Sequence, residues 1–331
     1  MRYAYIDFLR GFAILLVVLG HTVQYVTHPN SFDQDVVFRM IYSFHIPLFF
    51  FISGLTTPMR SISSDEFKNK IFKRTKQLLI PFVIWKVLSC ILVGFNEPFY
   101  NLFLYPDNGL WFLWVLFFDY LIFHIVLMIS CMVYPKPFVC LIAAYLLLRV
   151  ISIFVNICGF GMVSNFFLYF IIGSYIGQYK GKILHMPHKL STIIVFFVCF
   201  MLFSSFWYRD INAIPSDLPY WVCQLNKILV YRIMTAFMGI GLFLFIMAGS
   251  ASKLGGAKLD WIGTRTLGFY AIHQTVLWLY ETEIYSITNF FEFIQPMGLI
   301  VSFLVVLTIT LLLYQLFSVS KVTKLLFLGM E

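Results

Sequence analysis

Charge is what this chain has least of. Of its 331 residues only 11% are Asp, Glu, Lys or Arg, against 61% hydrophobic and 20% aromatic. That balance excludes an ordinary soluble domain, and no hydrophilic stretch is long enough to form one beside the rest. Paired cysteines are missing too. Cys90, Cys131, Cys140, Cys158, Cys199 and Cys223 are scattered through or beside apolar segments without any CxxC pair. Neither a zinc site nor a disulfide framework is indicated, and small core residues are expected. The first apolar run carries Asp7, Arg10 and His21 and no small-residue cleavage site follows it, so it does not read as a cleavable signal peptide. There is no internal repeat and no low-complexity segment, which withholds support from an inverted-repeat transporter.

What is present is a succession of apolar runs, with a mean hydropathy of +0.88 over the chain. Ten runs, at about 3–27, 36–57, 78–96, 110–133, 138–156, 164–179, 190–208, 223–248, 266–286 and 297–319, are long enough to read as membrane spans. The expectation is an all-α, polytopic integral membrane bundle in one domain, 1–331, with no appended soluble domain. The formal charge of +8 follows membrane topology and not a nucleic-acid partner. A cytoplasmic N-terminus puts Arg2, the cluster from Arg60 to Lys76, Lys136, Lys180, Lys182, Lys189, Lys253, Lys258, Arg265, Lys321 and Lys324 inside, and leaves Arg209 alone in an outside loop. The positive-inside rule therefore predicts both termini in the cytoplasm. Segment 61–77 reads as an amphipathic helix, either resting on anionic lipid or presenting Lys73, Arg74 and Lys76 to a phosphate.

Six cations remain at membrane depth: Arg10, Arg39, Lys86, Arg149, Lys227 and Arg232. Their internal counter-ions are few, mainly Asp7, three residues before Arg10, and Asp119. Arg39 and Lys227 are near span ends, where snorkelling is an equal explanation. A cation surplus inside a bundle suggests visiting anions, because an unpaired buried charge is costly. Arg10 lies towards the inner side, and Arg39, Arg149, Lys227 and Arg232 towards the outer side, which suits one anionic ligand from each face.

Arg10 and His21 are eleven residues apart. That is close to three helical turns, so they share a face with roughly 16 Å between them. Folding the hairpin about residues 30–34 brings His45 to the depth of His21. An imidazole titrating near neutrality takes and returns a hydroxyl proton, as acyl transfer to an alcohol requires. His124 has no visible partner and reads as a packing residue, while His273, in LGFYAIHQ, is placed to touch an inner-side ligand.

These residues belong to a series of short motifs. Arg10-x10-His21 is followed by HIPLFFFISGL at 45–55, KRTKQLLIPF with Arg74 and Pro81, NGLWFLWVL at 108–116, FFLYFIIGSYIG at 166–177 and WIGTRTLGFYAIHQ at 261–274. In this order they resemble the membrane acyltransferase family that acetylates sugar hydroxyls, acyltransferase family three. Thr266 stands where that family commonly has Ser, which keeps the hydroxyl.

The resemblance implies transfer of an acyl group, usually acetyl, from cytoplasmic acyl-coenzyme A to a hydroxyl of an extracytoplasmic or polyprenyl-linked sugar in a bacterial inner membrane. Arg10 would anchor the donor, with Lys73, Arg74 and Arg265 at its nucleotide phosphates and Ser53, Trp111, Tyr270 and His273 beside it. His21 would be general base or transient acyl carrier, the base being favoured, and His45 would orient His21 or the acceptor. For Ser53-Gly54 close helix packing is the stronger reading. Arg39, Arg149, Lys227 and Arg232 would meet an acceptor bearing phosphate or carboxylate. No metal is implied, and the oligomeric state, a homodimer included, is left open. Some relatives carry a hydrolase-like extracytoplasmic domain; here only a short tail follows Lys324, so the spans would present the acyl group themselves or an unseen partner would take it. The rivals are a glycan exporter or proton-coupled carrier using the buried charges as its path, and, more weakly, a membrane scaffold.

Overall fold

The structure is a computed structural model and describes residues 4–27, 31–93, 101–104, 106, 110–133, 136–155, 157–179, 190–250, 257–279 and 297–330. Arg2, Lys180, Lys182, Lys189, Lys253, most of the loop at 94–108, and the side chains of Cys131 and Lys258 lie outside what is described. The described residues form helices and turns, with no strand among them. In chain order the helices are α1 (Ala4–Thr22, continued by a π-helical turn Val23–Thr27), α2 (Val36–Tyr42), α3 (His45–Leu55), α4 (Ser64–Arg74) and α5 (Ile80–Val93). Next come α6 (Asn101–Leu104), α7 (Trp111–Val133), α8 (Pro137–Phe154), α9 (Phe160–Gly177), α10 (Leu190–Ser205) and α11 (Tyr220–Lys227). The remainder are α12 (Leu229–Ser250), α13 (Ala257–Gly263), α14 (Thr266–Leu279), α15 (Met297–Phe317) and α16 (Lys321–Leu328).

Among the described residues, seven helical stretches are long and apolar enough to cross a membrane: Tyr5–Val26, Val36–Leu55, Trp111–Ser130, Pro137–Phe154, Phe160–Gly177, Leu229–Ile246 and Met297–Phe317. The chain is a multi-pass, all-α membrane protein. Segments expected to span at 78–96, 190–208 and 266–286 are helical over the shorter stretches of α5, α10 and α14. The apolar residues do not all turn inward. On α8, Leu146, Leu147, Val150, Ile153 and Phe154 are exposed, a surface that only a hydrocarbon solvent would cover cheaply. The same solvent explains the cysteines, which were expected in the core. Cys90, Cys140, Cys199 and Cys223 are half-buried and Cys158 is exposed, all as free thiols.

Local chemistry sets several boundaries. The Asp35 carboxylate caps α2 by accepting from the Phe38 N–H at 2.9 Å, and the Ser63 hydroxyl caps α4 by accepting from Glu66 N–H at 3.2 Å. Within the second span the chain turns at Ser43–Phe44, between α2 and α3. Pro47 lies four residues past Ser43 and has no N–H to return to that carbonyl, which is where a helix breaks. The segment expected to be an amphipathic helix is one: α4 buries none of its residues and runs through a π-helical turn, Thr75–Leu79, into α5.

The chain divides into two compact units, residues 1–49 with 181–266 and 280–308, and residues 50–180 with 267–279 and 309–331. In the first, α1 crosses α13 with backbone touching backbone. A side chain at Gly11 would strike the Leu259 carbonyl, and one at Gly263 the Asp7 carbonyl. Phe44 packs beside Phe200 of α10 and Phe243 of α12, while Phe12 meets Phe243 from α1. In the second unit the end of α3 crosses α9 in the same manner, with Gly54 against Phe170 and Gly173 against Phe51. Packing is thus the observed role of Gly54. Phe50 stacks on Phe166 and meets Phe112 edge-on, and the Trp85 indole N–H donates to the Phe327 carbonyl at 2.8 Å, fixing α16 on α5.

Candidate functional site

The first unit holds the two histidines and the arginine of the opening motif. Asp7 and Arg10, one turn apart on α1, form an ion pair at 3.6 Å. Their helix is the one crossed by α13, so the structure brings Arg265, two residues beyond Gly263, to the same end of this unit as Asp7. Arg265 donates to the Trp261 carbonyl at 3.0 Å and the Thr264 hydroxyl at 2.7 Å, and lies over the Trp261 ring.

His21 sits in the last turn of α1, partly exposed. Its link to His45 runs through a residue that spacing did not single out. The Tyr42 ring has its centroid 5.9 Å from that of His21 and 4.6 Å from that of His45. The Tyr42 hydroxyl donates to Gln24 Oε1 at 2.5 Å, and Tyr25 stands edge-on to His21 at 5.9 Å. His45 is completely buried. Its Nδ1 lies 2.8 Å from the Ile41 carbonyl, which only accepts, so Nδ1 carries the proton and Nε2 keeps a buried lone pair without a partner. This geometry makes His45 a support beneath Tyr42, with His21 as the accessible imidazole. Tyr42 and Gln24 stand three residues from His45 and His21 respectively, the i,i+3 spacing that would have revealed them.

The cations expected on the acceptor side have different company. Arg39 is buried, donates to the Ser205 carbonyl at 2.7 Å and lies over the Tyr208 ring, while its Nε has no partner. Arg232 is spent on the backbone, donating to the Asn226 and Tyr208 carbonyls at 2.9 and 2.8 Å. Lys227 ends α11 exposed, as a snorkelling lysine does. Arg209, set aside in the sequence as a lone loop cation, stands with its guanidinium 5.8 Å from the Tyr42 ring and 5.9 Å from the Phe32 ring. Its isolation on a positive-inside map was the signal. Burial pushes the Asp33 carboxyl above its ordinary range; Arg209 pulls it down, Asp210 adds to the rise, and the Arg209 backbone N–H and Arg232 again lower it.

The second unit contains the other candidates. Arg74 donates to Gln77 Oε1 at 2.9 Å and to the Tyr120 hydroxyl at 3.2 Å, and lies over the Tyr120 ring. Lys73 is exposed. Trp111 is stacked on Phe166, and Tyr270 meets Phe112 edge-on. His273 is completely buried, with Nδ1 2.9 Å from the Phe269 carbonyl. The Ser53 carbonyl accepts from the Thr57 hydroxyl at 2.8 Å. Arg149 is held by the side chains of Ser164 and Asn165 on α9. Asp119 was expected to serve as a counter-ion. It does not: fully buried on α7, it has no hydrogen-bond partner for either carboxylate oxygen and forms no ion pair among the described residues. His124, read as a packing residue, is buried, with Nδ1 2.9 Å from the Tyr120 carbonyl.

Comparison with known proteins adds a second line. A family model described as an acyltransferase domain matches residues 3–315. A relative from Mesorhizobium japonicum, Nodulation protein NolL, is 29% identical over 129 residues, covering 36% of this chain and 34% of its own. Nodulation protein NolL from Sinorhizobium fredii is 42% identical over 84 residues, covering 25% of this chain and 23% of its own. The matches thus span about a third or less of those relatives. No solved structure matches.

Proposed function

Since the chain belongs to the family of that acyltransferase-domain model, we propose that it moves an acyl group from acyl-coenzyme A to a glycan hydroxyl, with His21 as general base. The observation that carries this reading is the polar face of α1, with Asp7–Arg10 at one end and a partly exposed imidazole, braced through Tyr42 on His45, at the other. The acceptor hydroxyl gives its proton to His21 as its oxygen forms the new ester bond at the thioester carbonyl. The carbon–sulfur bond then breaks, and the coenzyme leaves as a thiol with the proton returned from the imidazolium. Arg10, held by Asp7, anchors the donor through charge-assisted hydrogen bonds, with Arg265 engaging its phosphates from α13.

The acyl group is proposed to be acetyl, and the setting a bacterial inner membrane with both termini cytoplasmic, which the placement of the cations supports. Lys73 and Arg74 at phosphate, and Ser53, Trp111, Tyr270 and His273 at the donor, all belong to the second unit and are separate proposals, each tested by its own substitution. Arg39, Arg149, Lys227 and Arg232 are the corresponding proposals for an acceptor bearing phosphate or carboxylate, of which Arg39 has the most uncommitted guanidinium.

The test is thermal stabilisation of the purified protein by acetyl-coenzyme A. A ligand that binds only the native state raises the midpoint. Wild type should be stabilised, Arg10→Ala should not, and His21→Ala should keep the stabilisation while losing transfer. If no acyl-coenzyme A stabilises wild type, the donor assignment falls and a carrier of glycans becomes the better reading.

A further inference from the structure

In the first unit Arg209 and Arg232 act on the buried carboxylate of Asp33, and Arg39 lies over the ring of Tyr208, the residue before Arg209. Arg232 is committed to backbone carbonyls. Arg39 and Arg209 are not committed in that way. Arg39 is 9% exposed, makes its one hydrogen bond through Nη1, and leaves Nε buried without a partner. Arg209 is exposed, and among the described residues no acceptor lies within hydrogen-bond reach of its guanidinium; its neighbours are the rings of Tyr42 and Phe32. Asp33 is 8% exposed, and its Oδ1 is also without a partner. No arginine comes within 4.0 Å of that carboxylate among the described residues. Arg39 Nε and Asp33 Oδ1, both buried, and the exposed guanidinium of Arg209 are thus left without a hydrogen-bond partner among the described residues.

Leaving the buried Arg39 Nε and Asp33 Oδ1 unpaired is costly, and one molecule that also meets the exposed Arg209 guanidinium satisfies all three. It carries an anionic group for the guanidiniums, a hydroxyl to donate to Asp33 Oδ1, and a ring with an apolar face to lie beside Phe32 and Tyr42. That is a sugar bearing a phosphate or a carboxylate. The position matters as much as the chemistry. Arg209 stands against the ring of Tyr42, which also touches His21 and His45. An anion held there lies on the Tyr42 side of His21.

We propose that Arg209 and Arg39 grip the anionic substituent of the glycan acceptor, with Asp33 reading one of its hydroxyls. The inference rests on the acyl-transfer reading and names the acceptor's chemistry. It shifts the centre of the acceptor site from Arg232, which is engaged by backbone carbonyls, to a loop arginine.

The experiment uses full-length protein in detergent, as wild type, Arg209→Ala, Arg209→Lys and Asp33→Asn. Thermal midpoints are titrated with inorganic pyrophosphate, with glucuronate, with neutral glucose and with acetyl-coenzyme A. One of the two anions should stabilise wild type: pyrophosphate if the charge is that of a lipid-linked sugar, glucuronate if it is an acidic sugar. Arg209→Ala should weaken that anion roughly tenfold or more, Arg209→Lys by less, since a lysine restores charge but not the planar fork. Asp33→Asn should weaken glucuronate and leave pyrophosphate unchanged. Acetyl-coenzyme A should stabilise wild type and Arg209→Ala equally. Equal anion binding in wild type and Arg209→Ala, or no effect of either anion, overturns the proposal. Arg209-dependent anion binding without any effect of acetyl-coenzyme A keeps the anion site and removes the acyl-transfer reading instead.

Discussion

The two units treat charge in opposite ways. In the first, Arg10 pairs with Asp7, but Arg39 and Arg209 make no ion pair among the described residues. In the second, the cations are accommodated. Arg60 and Lys70 both reach Glu66, at 2.6 and 3.2 Å, Arg74 has Gln77 and Tyr120, and Arg149 has Ser164 and Asn165. Among the described residues of that unit, the buried charge-bearing group without a partner is an acid, Asp119. A charge whose hydrogen bonds are complete within its own unit is explained by structure. One left incomplete in a low-dielectric setting asks for a visitor, and among the described residues the first unit has both a cation, Arg39, and an acid, Asp33, in that condition.

The contrast is sharpest at the histidines. His21→Ala should lower transfer roughly 10²–10⁴-fold, the usual contribution of a general base, while the thermal midpoint stays near that of wild type. His124→Ala should do the reverse, since it deletes a buried ring that stacks on Tyr120 and touches nothing assigned to chemistry. Initial-rate assays beside melting curves decide it, and equal loss of rate in both variants would erase the distinction between the units.

Next in size is the crossing of α1 and α13. Gly263→Ala would set a methyl group on the Asp7 carbonyl and should destabilise by about 1–3 kcal/mol. The same substitution at Gly54, against Phe170 in the second unit, should behave alike, which would show that packing does not distinguish the two units as charge does. Denaturation in a constant detergent reads both.

Asp119→Leu tests the orphan acid. Removing an unsatisfied buried polar group should stabilise by about 1–3 kcal/mol. A lower midpoint, or a lost response to acetyl-coenzyme A, would move Asp119 from liability to ligand. The smallest effect is expected at Glu66, whose carboxyl is held below its ordinary range by hydrogen bonds from Arg60 and then Lys70. A depressed acid stabilises above its unfolded pKa, about 4.3, and loses that contribution as pH falls through the folded value. Wild type should therefore melt slightly above Glu66→Gln at pH 7, and the two should converge below about pH 4.

Composition and hydropathy alone determined that this is an all-α membrane protein, because in a bilayer core every backbone group must be satisfied within its own segment. Spacing determined the Asp7–Arg10 pair and the shared face of Arg10 and His21, since i,i+3 and near-whole-turn separations are properties of the helix itself. The small side chain of Gly54 likewise pointed to a close helix crossing, although the partner, Phe170, is 116 residues away and invisible to periodicity. Three assignments needed the tertiary structure. Tyr42 as the link between His21 and His45 depends on the turn at Ser43–Phe44, which aims the side chain. Asp119 as an unpaired acid and Arg232 as a backbone clasp depend on which groups face them across helices. A helical repeat states which face a residue occupies, but the identity of what stands opposite is decided only when separate segments pack, and it is that opposite partner which makes a buried charge structural or functional.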